Sequence, residues 1–136
     1  MAQSKPVVLA LVICDTVRRE DNGKHILVGT YTQWNSPQFP IKIGNMGVYC
    51  VLTSVPRSGD LSFLFRVDDV EHTFSTPLGP FHIENKGDRR GIIEIAANFQ
   101  NLPVPREGSY ELAVLWDGEL LAQRRIDALK IVPPAA

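Results

Sequence analysis

Two turn signals, Asp21-Asn22-Gly23-Lys24 and Asp117-Gly118, each stand between apolar segments that alternate with period two, and they constrain this chain more than any other feature. Asn-Gly and Asp-Gly tolerate the positive φ of a two-residue hairpin, so the segments flanking each pair are expected to return on one another as antiparallel strands. The first hairpin would join residues 7–14 with residues 26–32. The second would join the strand carrying Tyr110, Leu112, Val114 and Trp116 with residues 120–132.

Nothing between these hairpins has the i, i+3, i+4, i+7 spacing of a helix. Residues 48–53 read as a strand, and Leu61, Phe63, Phe65 and Val67 alternate with polar neighbours apart from Leu64. Residues 71–83 carry Pro77, Gly79 and Pro80 and suit only short or edge pairing. Ile93, Ile95, Ala97 and Phe99 fall on one side of a further strand, which "NLPVPREGS" is expected to end. In the last strand the apolar phase passes from even positions up to Ile126 to odd positions at Leu129 and Ile131, which predicts a bulge near Asp127-Ala128. An all-β chain of this kind implies a sandwich or a barrel. Gly108-Ser109-Tyr110 at the start of a strand is similar to a tyrosine corner, so the expectation is an immunoglobulin-like antiparallel β-sandwich of about seven to nine strands.

At 136 residues the chain suits one domain, residues 1–136 with a frayed tail at 133–136, and it can bury a core without metal or disulfide. A net charge of −1 is too small to steer polyanions, so nucleic acid is not expected as a partner. The longest early apolar run, eight residues between Pro6 and Asp15, is too short for a membrane span, and no signal peptide is read at the N-terminus. Cys14 and Cys50 each lie in an apolar run, which fits reduced, buried thiols and a cytoplasmic location better than a disulfide framework, although one bridge between them stays open.

Taken together, "LALVICD", "DNGKHILVG", Phe39-Pro40, "GVYCVLT" and "GSYELAVLWDGELL" resemble a group of small bacterial single-domain proteins known as a domain of unknown function. The resemblance spans almost the whole chain and implies a β-sandwich. It carries no activity and no catalytic residue.

The densest chemistry lies in residues 13–29. Cys14 ends an apolar strand beside Asp15, a setting that raises thiol pKa, and His25 is expected near Glu20, several rungs away, so a Cys-His pair is not expected. Asp15 is expected to hold backbone N–H groups where the strand stops, and with Asp21 it lacks the donor run of a calcium loop. His72 and His82 lack zinc-ligand spacing and read as exposed turn histidines. Asp68, Asp69 and Glu71 read as solvated turn acids, since adjacent strand residues point to opposite faces. Gly87 precedes no helix that could form a phosphate cradle. Arg89-Arg90 and Arg124-Arg125 suit charged strand edges. No catalytic residue, metal site or cofactor is assigned.

"YTQWNSPQFP" remains as the candidate binding segment, with Trp34 and Phe39 as aromatic anchors and Asn35 and Gln38 as polar neighbours. Aromatics on a proline-stiffened loop either plug one end of a sandwich or bury area against a partner at low entropic cost. The function expected is a non-catalytic binding or assembly module, pairing with a protein partner or as a homo-oligomer through this loop or an open sheet edge. Docking through the loop requires Trp34 or Phe39 to be more than about half exposed within an apolar patch. The alternative is a small-ligand or carbohydrate site on the same loop, with Gln33 as a third donor. A Cys- or metal-dependent enzyme ranks below both.

Overall fold

Period-two alternation governs the whole molecule. The computed structural model describes residues 5–67, 75–87 and 91–132, and every regular element among them is a strand. In chain order these are β1 (Val7–Arg19), β2 (His25–Thr30), β3 (Gln33–Ser36), β4 (Ile41–Thr53), β5 (Ser58–Val67), β6 (Ser75–Glu84), β7 (Ile93–Val104), β8 (Gly108–Trp116) and β9 (Glu119–Lys130). Asp68, Asp69, Glu71, His72, Arg89, Arg90 and the tail 133–136 lie outside the described residues.

Two sheets form, a four-stranded one ordered β2-β1-β4-β7 and a five-stranded one ordered β3-β9-β8-β5-β6. Their facing sides supply the core. Leu61, Phe63 and Phe65 of β5 and Leu112, Val114 and Trp116 of β8 meet Ile13 of β1 and Val48, Cys50 and Leu52 of β4. Each fully buried Leu or Phe there stabilises the fold by roughly 1.5–3 kcal/mol over its exposed state. The Phe65 and Tyr110 rings stack 5.1 Å apart, and Trp34 meets Phe65 edge-on at 5.8 Å.

Tyr110 makes the corner that its sequence context predicted. Its ring is fully buried, and its hydroxyl donates to the Arg106 carbonyl at 2.6 Å, tying the loop before β8 to the strand. Two facing sheets joined by this corner define an immunoglobulin-like β-sandwich.

Several boundaries differ from expectation, each because a contact between distant segments overrides the local pattern. The β3–β9 pair is parallel, so the sandwich is not wholly antiparallel, and the proline-rich connection contains a short strand that pairs Trp34 with Ala128. β4 begins at Ile41, well before Val48. β7 continues through "NLPV", because Leu102 and Val104 are buried and pair with Ile43 and Ile41. Opposite Gly44, Asn101 adopts φ 57, and there the inward side switches from Phe99 to Leu102 on β7 and from Ile43 to Met46 on β4. The last bulge lies at Leu121, between the pairs Val114–Ala122 and Leu115–Leu120, and not near Asp127. Ile126 and Ala128 keep the even phase in the core while Leu129 and Ile131 are exposed.

Candidate functional site

The first hairpin builds the site. Its turn closes through Gly23 N–H to Glu20 O at 2.9 Å and Glu20 N–H to Lys24 O at 2.8 Å. β1 pairs with β4 only as far as Cys14–Gly47, then runs on with β2 to Arg19. Beyond Cys14 the strand crosses the outer face of the four-stranded sheet close over Gly47, which has no side chain. A Cβ on Gly47 would sit 2.9 Å from both Cys14 Sγ and the Val17 backbone N.

Three contacts hold the hairpin tip down on that face. Asn98 of β7 accepts the Val17 N–H at 3.0 Å and donates to Val17 O at 2.9 Å. Glu94 Oε2 lies 3.0 Å from His25 Nδ1 and accepts the Tyr49 hydroxyl at 2.5 Å. The His25 and Tyr49 rings meet at 5.5 Å. Tyr49 holds the Glu94 carboxyl below its ordinary range, with His25 and Arg19 adding to the effect. In return the Glu94 hydrogen bond, assisted by burial, pushes the Tyr49 phenol up to about 12. The Glu94 carboxylate is thus shared between Tyr49 of β4 and His25 of the hairpin, which fastens the hairpin tip to the sheet.

A cleft of about 450 Å³ opens beside this cluster. Arg18, Arg19 and His25 form one wall, Phe81 and Ile83 of β6 the other, and residues 94–98 of β7 its floor. Among the described residues β7 is the terminal strand of its sheet, so alternate N–H and C=O groups along it point away from β4.

The residues singled out in the sequence are placed as follows. Trp34 is 9% exposed and belongs to the core, and Phe39 is partly buried against it, so the exposure required for docking through that loop is not met. Trp34 is buried because the β3–β9 pairing carries it under the sheet onto Phe65, which corrects its assignment as a binding anchor. Asn35 and Gln38 are exposed. Trp116 is buried as its phase predicted.

Cys14 and Cys50 are free thiols, both fully buried. The Cys14 thiol contacts the Thr16 carbonyl at 3.3 Å, and burial is the main cause of its raised pKa. Burial pushes Cys50 up to about 11. Asp15 does not end the strand. Its carboxylate packs over Gly29, and it is its backbone carbonyl that is held, by Asn45 Nδ2 at 2.7 Å. His25 pairs with Arg19, not Glu20, and is largely buried beneath the hairpin. His82 lies on β6, outside any turn, between Asp60 at 2.9 Å and Glu84 at 3.4 Å. Arg124 is no simple edge charge, because it donates to Leu11 O at 2.8 Å and ties the two sheets together. Arg18, Arg19, Tyr49, Glu94 and Asn98 escaped sequence reading. The available signal was the outward phase of Tyr49 and Glu94 on otherwise apolar strands, which names a surface but not a partner.

These features define an immunoglobulin-like β-sandwich with a hairpin folded over one sheet beside a long open edge. The chain belongs to a family of unknown function, DUF6941, which it matches over residues 9–128. Among solved structures it is similar to the Pseudomonas fluorescens alkylpurine DNA glycosylase AlkC bound to DNA containing an abasic site analog, with a TM-score of 0.55 and 14% identity over 94% of this chain. The chain spans 31% of the glycosylase chain, and at that identity the likeness is one of fold alone. An immunoglobulin-like protein from Pseudomonas aeruginosa is similar with a TM-score of 0.46 and 13% identity, over 95% of this chain and 100% of that one. No curated protein matches the chain.

Proposed function

We propose that this protein is a non-catalytic binding module that takes up an extended segment of a protein partner along the open edge of β7. The observation that carries the reading is how differently the strand edges are guarded. β6 carries Pro77 and Pro80, which lack N–H donors, while β2 and β3 are short. The uncovered part of β1 is bulged at Leu9 and capped at Leu11 O by Arg124. The open part of β9 has its own bulge and the charges of Arg124 and Arg125. In contrast, β7 over residues 93–100, "IEIAANFQ", has no proline, glycine, lysine or arginine. Natural sheets rarely leave such an edge bare, and strand addition is a recurrent use of one.

A buried Cys14, and a Glu94 carboxylate already engaged by Tyr49 and His25, support a role without covalent or acid–base chemistry. Burial of Trp34 removes the aromatic platform that a carbohydrate site on the loop needs. The test is an amide-resolved NMR titration with a panel of extended peptides. Shifts concentrated on residues 93–100 and on Phe81 and Ile83 are expected. Shifts centred on any other edge, or none with any peptide, would overturn the proposal.

A further inference from the structure

Resting on that reading of the β7 edge, we infer that the groove selects a strand in which acidic and apolar side chains alternate. A strand added to β7 continues the sheet, so its side chains alternate between the core side and the outer side. On the core side they meet Phe81 and Ile83, both partly buried and packed against the core, with Ile95 and Ala97 of β7 beside them. That wall offers no charge.

The outer side is different. Arg18 and Arg19 of the hairpin both line the cleft, and among the described residues neither makes a salt bridge, although the Arg19 charge acts on Glu94. Among the described residues Glu94 is the one carboxylate lining the cleft, and its Oε2 is already committed to Tyr49 and His25. The described residues of the wall are therefore net positive, with Glu94 already engaged. Carboxylates on the outward residues of the incoming strand would face this arginine-bearing wall, where a guanidinium can form paired, charge-assisted hydrogen bonds. A lysine there would be repelled.

The experiment uses the full chain and two synthetic decapeptides, one alternating glutamate with valine and one alternating lysine with valine, titrated by amide-resolved NMR at low salt. The acidic peptide is expected to bind roughly fivefold more tightly than the basic one, as for two partly exposed ion pairs, and to lose that margin in high salt. Reversing both charges, Arg18→Glu with Arg19→Glu, is expected to invert the preference while thermal unfolding confirms that the variant folds. Equal affinity of the two peptides, with shifts still on β7, would overturn the charge selection and leave strand addition standing. Shifts on another edge, or binding by neither peptide, would overturn both. Glutamate preference that persists in the double variant would also sink the role given to Arg18 and Arg19.

Discussion

The side-chain amide of Asn98 hydrogen-bonds to both backbone groups of Val17, at 3.0 Å to its N–H and 2.9 Å to its C=O, and so stands in for the strand that β1 leaves behind at Cys14. The same carboxamide oxygen accepts from Asn45 Nδ2 at 3.0 Å. One side chain thereby joins β7, β4 and the hairpin.

Asn98→Ala is expected to cost about 1–3 kcal/mol, because the two Val17 backbone groups lose their partner at a partly covered site. Urea unfolding measures it. Hydrogen exchange should also speed up selectively in residues 15–28, since the hairpin tip is held by few other contacts. A uniform change across the whole chain would contradict the local role.

Gly47→Ala is expected to cost at least about 1–3 kcal/mol, because the new methyl meets the Cys14 sulfur and the Val17 backbone at 2.9 Å. Removing the sulfur by Cys14→Ala in the same chain should relieve only part of the loss, since the backbone obstacle stays. Full rescue would show that the strand does not cross β4 as closely as described.

His82 gives stability a pH dependence of definite sign. Its pKa is raised above 6.5, first by the hydrogen bond to Asp60, with Glu84 contributing. A raised folded-state value means that the contribution is fully present below the unfolded value near 6.5 and is lost as pH rises through the folded one. The melting temperature of the wild type, relative to His82→Gln, should therefore fall as pH rises above about 6.5. A flat difference over that window would count against the Asp60 contact.

Native Cys14 and Cys50 should resist alkylation at pH 8 and react only on unfolding. Both are sealed from solvent, and burial raises both thiols, Cys50 to about 11. Mass spectrometry after a timed iodoacetamide pulse checks this. Fast labelling of Cys14 alone would reopen the case for a reactive thiol.

Much of the architecture was legible in the residues. Asn22-Gly23 and Asp117-Gly118 announce their hairpins, Leu61, Phe63 and Phe65 announce an inward face, and Gly108-Ser109-Tyr110 announces the corner. These are local signals, set by backbone φ and by a period that each strand carries within itself. The site was far less legible. Trp34 reads as plug or as anchor until its parallel pairing with β9 is known. Asp15 looks like a strand terminator until β1 is seen to pass over Gly47.

The sequence by itself determined the strands, the turns and which residues of most strands face inward, because alternation and turn chemistry act between neighbours. Only the tertiary structure decided that His25 reaches Glu94, sixty-nine positions away, that Asn98 completes the ladder of Val17, and that β7 lies beside the cleft lined by Arg18 and Arg19. Those outcomes depend on which surfaces meet once the sheets stack, and the free energy that selects them comes from burial between distant segments, a term no local pattern contains.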